Sequence, residues 1–153
     1  MCEVVEEIDN AIKVLSLSKS KIHLLNPDKT KKLYLELLGN FVEGEDRQWW
    51  WESFLKPSFS LHYSDGKGFT KITKIVPNKE ELVWFIVEDD QQPFYPIYET
   101  TPSVIQSIIG ECYGFEYYII PKDKEWLLCE NHHNTLIGVG DIIIENLKKH
   151  GSA

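Results

Sequence analysis

The sequence predicts a single α+β domain in which a mixed or antiparallel sheet of about four to six strands is flanked by helices. Three observations favour this fold class. The N-terminal third has the apolar spacing of amphipathic helices, so helices come first. The middle interleaves short apolar runs with turn residues, and the last third reads as a hairpin followed by a helix. The length of 153 residues favours one core over residues 1–153.

The N-terminal helices are indicated by periodicity and by capping residues. Apolar side chains recur at helical spacing through residues 4–15. A second helix is predicted to begin with Asn26 as the cap and Pro27 in its first turn, and to end near Gly39. Residues 69–76 also have helical spacing and stop before a proline.

The C-terminal helices carry similar signals. Thr101 and Pro102 predict the start of a helix, and Gly114 is its expected terminator. Asp141 is expected to cap the last helix.

The strands are recognised from apolar runs and turn residues. Residues 82–87 are almost continuously apolar, which predicts a central strand covered on both faces. Residues 59–63 alternate between apolar and polar side chains, and residues 94–98 predict an edge strand because Pro96 cannot donate a ladder hydrogen bond. The clearest hairpin covers residues 115–130.

Two registers of this hairpin lead to different chemistry. If Ile120 pairs with Trp126, Glu116 lies opposite Glu130, and two opposed carboxylates would raise each other's pKa as in an acid–base dyad. A change of one residue places Tyr117 opposite Glu130 instead, which gives a hydrogen-bonded pair. We favour the second register because like charges directly opposite are destabilising.

Composition and charge exclude several classes of protein. The 24 acidic residues outnumber the 16 basic ones, so the net charge of −8 disfavours nucleic-acid binding. No run approaches the ~18 apolar residues that span a bilayer, and the acidic N-terminus does not resemble a signal peptide. Cys2, Cys112 and Cys129 have no CxxC spacing, which favours buried thiols in a reducing cytosol. We therefore expect a cytoplasmic protein without a membrane or nucleic-acid partner.

The segment 126–134 concentrates residues with catalytic or metal-binding capacity. A strand would point the adjacent His132 and His133 to opposite sides, whereas a turn starting at Asn131 would not. At most two ligands could then meet, so no metal and no cofactor are expected. No nucleophile is identifiable, and the candidates for general acid–base work are Glu116, Glu130, His132 and His133.

A second group of residues favours binding of a protein partner. Three adjacent tryptophans cannot all share one face of a helix or strand, so at least one is expected to meet solvent, a loop or a partner. Acidic loops at residues 43–46 and 88–90 can steer a protein toward a basic partner. The predicted binding residues are Trp49, Trp50, Trp51, Glu88, Asp89 and Asp90.

A dinucleotide loop is suggested by Gly138-Val139-Gly140 before a helix, but Ile143 stands where the third glycine is needed. These glycines are expected to serve a turn and the start of the last helix instead.

The C-terminal half combines Glu116-Tyr117-Tyr118 with the segment 126–134 and with Ile137 and Gly140. In these residues it resembles a family of uncharacterised small bacterial proteins, a domain-of-unknown-function family. It implies no known activity or site. In general style the chain is also similar to immunity proteins of bacterial toxin systems, including the Smi1/Knr4-like group, although the N-terminal motif of that group has no match here. This similarity implies a non-enzymatic binder.

The leading hypothesis is therefore a non-enzymatic cytosolic binding protein, for example an immunity-type inhibitor with a basic toxin as its partner. A small metal-dependent or acid–base hydrolase using Glu130, His132 and His133 is the first alternative, and it needs a concave pocket in which Glu130 and a histidine point inward together. A small-molecule sensor domain with an aromatic pocket is the second. The oligomeric state stays open.

Overall fold

The computed structural model describes residues 3–42, 50, 54–89, 94–112 and 114–151. In these ranges the helices are α1 (Glu3–Val14), α2 (Pro27–Phe41), α3 (Ile72–Ile75), α4 (Pro102–Gly110) and α5 (Asp141–His150). The strands are β1 (His23–Leu24), β2 (Ser58–His62), β3 (Val83–Val87), β4 (Ile97–Thr100), β5 (Tyr117–Pro121), β6 (Leu127–Glu130) and β7 (Thr135–Val139). A 3-10 helix (Gly68–Lys71) leads directly into α3. No helix in this part of the chain is long and apolar enough to cross a membrane.

The strands form one sheet in the order β1-β4-β3-β5-β6-β7-β2. Each neighbouring pair in the sheet is antiparallel. The α+β class with an antiparallel sheet is confirmed, and the seven strands slightly exceed the expected range.

Helices cover both faces of the sheet. Apolar residues of α1, α3, α4 and α5 pack on one side, here named the α4 face, and α2 packs on the other, the α2 face. Strand β5 shows the alternation that divides the two cores: Tyr117 and Ile119 belong to the α4 face, and Tyr118 and Ile120 to the α2 face. All four side chains are fully buried because the strand is covered on both sides.

Strand β3 confirms the central strand predicted over residues 82–87. It lies between β4 and β5, and four of its five residues are buried. A continuous apolar run suits this position, since a strand covered on both faces has no solvent side for polar residues.

Helix α2 begins as its sequence predicts and ends later. Asn26 Oδ1 accepts a hydrogen bond from the backbone N–H of Lys29 at 2.9 Å, and Pro27 is the first helical residue. The expected end at Gly39 is wrong by two residues, because the helix continues to Phe41. The fully buried Phe41 ring outweighs the low helix propensity of glycine.

Helix α4 is capped by Thr101, whose Oγ1 accepts from the backbone N–H of Val104 at 3.4 Å. The helix ends at Gly110 and not at Gly114, which instead adopts a φ of +110° in the segment before β5. Asp141 is also not a cap: it is the first residue of α5, and Gly140 occupies the cap position.

The strand predicted at residues 94–98 is displaced and is not an edge. It runs over Ile97–Thr100 between β3 and the two-residue strand β1, which forms the edge of the sheet. Pro96 precedes the strand, where its missing N–H breaks no ladder bond, and its carbonyl accepts from the backbone N–H of Val87 at 3.1 Å.

Strand β7 corrects the interpretation of Gly138 as a turn residue. Gly138 lies inside the strand and faces α5. A Cβ at this position would lie 2.5 Å from Ile143 Cγ2 and 2.5 Å from Leu147 Cδ1. The glycine therefore permits a close approach of helix to sheet.

We expect Gly138→Ala to lower the free energy of unfolding by about 1–3 kcal/mol, because the added methyl group overpacks the contact with α5. Gly39→Ala is the matched control, since a Cβ there meets nothing within 4 Å and alanine favours the helix. Urea unfolding followed by tryptophan fluorescence measures both. Equal stability of Gly138→Ala and the native protein would contradict the packing described for α5.

Candidate functional site

The register of β5 against β6 places Tyr117 opposite Glu130. This confirms the favoured register. The Tyr117 hydroxyl donates to Glu130 Oε1 at 2.7 Å, and both side chains are buried. The alternative register is wrong, because Glu116 is not opposite Glu130.

Glu116 and Glu130 belong to opposite sides of the sheet. Glu130 contacts Tyr117 of the α4 face. Glu116 acts electrostatically on Tyr118, which belongs to the α2 face, whereas Glu130 does not. Its Oε2 accepts from the backbone N–H of His132 at 2.8 Å and lies 2.6 Å from Nδ1 of the same residue. The two carboxylates therefore do not form an acid–base dyad.

A tight turn joins β6 to β7 and begins at Asn131. The backbone N–H of Asn134 donates to the Asn131 carbonyl at 3.2 Å. The Asn131 side chain reinforces the turn, since its Oδ1 accepts from the backbone N–H groups of His133 at 2.9 Å and Thr135 at 3.3 Å. Asn134 has a φ of +57°, a left-handed conformation that asparagine tolerates.

The turn brings the two adjacent histidines together instead of pointing them apart. The ring centroids of His132 and His133 lie 4.0 Å from each other. The described residues nevertheless contain no group of three or more histidine, cysteine, aspartate or glutamate side chains that could hold a metal ion.

A cleft of about 360 Å³ opens beside Glu130, on the α4 side of the sheet. Its apolar walls come from Phe69 of the 3-10 helix, Ile109 of α4 and Phe115 before β5. Its polar lining comes from Glu130 at the end of β6, with Asn131, His132 and Asn134 of the turn completing it. Glu130 and a histidine thus line the same concavity.

Burial dominates the electrostatics of this cleft. Desolvation raises the pKa of Glu130 above its ordinary value, and the hydrogen bond from Tyr117 partly opposes the rise. The pKa of Tyr117 is raised well above its ordinary value by burial and by the Glu130 charge. Tyr117 therefore remains protonated and acts as a hydrogen-bond donor to the carboxylate.

Cys112 also lines the cleft, at the end of α4. Burial, and to a smaller extent the charges of Glu7 and Glu111, raise its pKa to about 11. Its thiol is protonated at neutral pH, so it does not supply an activated nucleophile. Cys129 is fully buried on the α2 face, where burial also raises its pKa.

The predicted partner-binding residues are only partly described. Trp50 is fully buried on the α2 face, with its ring centroid 4.8 Å from that of Tyr118 and 5.4 Å from that of Tyr34. Asp89 is 5 % exposed, and the Tyr118 hydroxyl lies 3.5 Å from Oε2 of Glu88. Trp49, Trp51, Asp90 and the acidic residues 43–46 lie outside the described residues.

The apolar residues that line the cleft could not be recognised from the sequence. Phe69, Ile109 and Phe115 look like ordinary core residues in their segments, and Cys112 was expected in the core. Asn131 and Asn134 carried a usable signal, since both lie in the polar segment that ends the hairpin.

A family model described as "Family of unknown function (DUF6756)" matches residues 2–151. The chain belongs to this family. This match confirms the prediction that the chain belongs to a domain-of-unknown-function family, and the description of that family names no activity. No curated protein and no solved structure matches the chain.

We expect Glu130→Gln to stabilise the protein at neutral pH. Because the pKa of Glu130 is raised in the folded state, the folded protein holds the Glu130 proton more tightly than the unfolded chain does. Ionisation of Glu130 therefore lowers the free energy of unfolding as the pH rises above about 4.5. The gain from Glu130→Gln should therefore be largest at pH 7–8 and shrink toward pH 4.5, as measured by urea unfolding across this range.

The control is Glu125→Gln, which removes an exposed carboxylate before the opposite end of β6. It should produce no comparable gain. A pH-independent effect of Glu130→Gln would contradict the raised pKa.

The turn gives a second prediction at a single position. Asn134→Ala should lower the free energy of unfolding by about 1 kcal/mol, because alanine is disfavoured at positive φ, whereas Asn134→Gly should stay within about 0.5 kcal/mol of the native protein. Thermal and urea unfolding compare the two variants. The conformation assigned to the turn would be wrong if alanine were tolerated as well as glycine.

Proposed function

We propose that this protein is a non-enzymatic binding protein whose ligand is a small molecule held in the cleft beside Glu130. The observation that carries the proposal is a concavity in which apolar walls converge on a buried carboxylate of raised pKa. Apolar and polar groups contribute about equally to the lining, so the cleft offers both the apolar surface and the orienting polar groups that ligand pockets use, with a larger polar share than most of them.

The size of the cleft supports a small-molecule ligand. Its volume of about 360 Å³ lies at the lower end of the ~300–1,000 Å³ that ligand pockets span. Its walls belong to separate structural elements that pack on the sheet: Phe69 in the 3-10 helix, Ile109 in α4, and Phe115 before β5. A pocket anchored in this way is largely preformed, which lowers the entropic cost of binding.

The arrangement of the titratable groups favours binding over hydrolysis. Glu116 interacts with groups on the α2 side of the sheet and is engaged by His132, so it is not paired with Glu130 for acid–base work. Cys112 holds its proton at neutral pH because its pKa is raised to about 11. Glu130 and His132 both line the cleft, but Nδ1 of His132 is engaged by Glu116, and Cys112 provides no activated nucleophile beside them.

The hypothesis of a protein partner has less support from the described residues. Trp50 and Asp89, two of the residues predicted to meet a partner, are buried. A toxin or another basic protein would have to engage other parts of the surface. We therefore place the ligand site in the cleft.

A fragment screen by NMR tests this function. The ¹⁵N-labelled protein of 17.8 kDa is mixed with a fragment collection that contains cationic, neutral and anionic aromatic compounds. We expect some fragments to shift the amides of Phe69, Phe115 and Asn131 in a saturable manner, because these residues line the cleft.

The control uses one position in the cleft. Cys112→Trp places an indole in the cleft and should abolish the shifts, whereas Cys112→Ser leaves the space open and should preserve them. Thermal unfolding establishes that both variants are folded. The proposal is wrong if no fragment shifts these amides saturably, or if the shifts persist in Cys112→Trp.

A further inference from the structure

We infer that the cleft selects a small organic cation, in which an ammonium or amidinium group is attached to an apolar moiety. This inference rests on the proposed function and names the class of ligand for the same site. It follows from the partners of Glu130, from the charges around the cleft and from the position of its aromatic wall.

The Glu130 carboxylate is incompletely satisfied by the protein. Tyr117 donates to Oε1, and among the described residues no other hydrogen bond or ion pair reaches this carboxylate. Glu130 is 9 % exposed and lines the cleft, so a ligand in the cleft can reach the acceptor positions that Tyr117 leaves open. A charged donor from a ligand would fill the remaining acceptor positions with strong, charge-assisted hydrogen bonds.

The charges of the described residues around the cleft favour a cation. The described residues that line the cleft include neither lysine nor arginine. His132 lies 2.6 Å from Oε2 of Glu116 through Nδ1, so this pair has no net charge when the histidine is protonated and a negative charge when it is neutral. A cation therefore meets an attractive field in either state, and the net charge of −8 adds to it at long range.

The aromatic wall lies next to the carboxylate. The Phe115 ring packs edge-on against Tyr117, with centroids 6.2 Å apart, and the Tyr117 hydroxyl holds Glu130. A ligand whose charged group reaches Glu130 can thus place its apolar part against Phe115. Aromatic faces attract cations as well as apolar groups, so both parts of the ligand are accommodated.

Anions and neutral molecules are less well matched. An anion would approach a buried carboxylate without a compensating positive group. A neutral alcohol can donate one hydrogen bond to Glu130 but leaves its charge unbalanced, so it should bind more weakly than an ammonium of the same shape.

Three probes of similar shape test the inference: benzylammonium, benzyl alcohol and benzoate. Each is titrated into the ¹⁵N-labelled native protein at pH 7, and affinities are taken from the amide shifts of residues that line the cleft. We expect benzylammonium to bind about tenfold or more tightly than benzyl alcohol, and benzoate to bind most weakly.

Glu130→Gln keeps the size and hydrogen-bonding shape of the side chain and removes its charge. It should bring the affinity for benzylammonium to within about threefold of that for benzyl alcohol and leave benzyl alcohol nearly unchanged. Glu125→Gln removes the same charge from the protein at an exposed site before the other end of β6. It should preserve the preference for the cation.

The inference is overturned if benzyl alcohol or benzoate binds the cleft as tightly as benzylammonium, or if Glu130→Gln retains the preference. It is also overturned if none of the three probes binds there. In each case the fragment screen decides the proposed function separately: saturable binding of any other fragment in the cleft retains it, and the absence of all binding overturns it as well.

Discussion

The register of β5 against β6 is the constraint on which the site depends. Side chains alternate between the two faces of a strand, so a shift of one residue would exchange every contact of the hairpin. In the observed register Glu130 shares the α4 face with Tyr117, whose hydroxyl supplies a hydrogen bond to the buried carboxylate. Cys129 then falls on the α2 face, among apolar neighbours. The opposite choice would set two carboxylates against each other without a donor between them.

Because helices cover both faces of the sheet, residues that are adjacent in the sequence can lie on different sides of it. Glu116 and Tyr117 are consecutive, yet one interacts with groups on the α2 side and the other lies in the α4 core. The turn that begins at Asn131 links the two sides, because His132 lines the cleft and also meets Glu116. His132 is thus the residue of the turn that contacts Glu116 and also lines the cleft.

Local chemistry explains which elements could be predicted. Asn26, Thr101 and the apolar run of β3 carry signals within a few residues, and the structure confirms them. Strand β7 was missed because Gly138 interrupts its short apolar run, and the reason for that glycine lies in Ile143 and Leu147 of α5. The two-residue strand β1 is too short to give a pattern and exists through its pairing with β4. Helix α2 passes Gly39 because a buried Phe41 outweighs a local terminator.

By itself the sequence determined the fold class and the favoured register of the hairpin, because periodicity, caps and like-charge repulsion act between near neighbours in the chain. It also marked the polar segment from Glu130 to Asn134 as the place where chemistry would concentrate. Only the tertiary structure decided that Phe69, Ile109 and Phe115 would face that segment across a cleft. It also placed Trp50 in the core. The physical reason is that burial depends on which parts of the chain, distant in sequence, pack together. The sequence alone does not distinguish an apolar side chain in a core from one that lines a pocket.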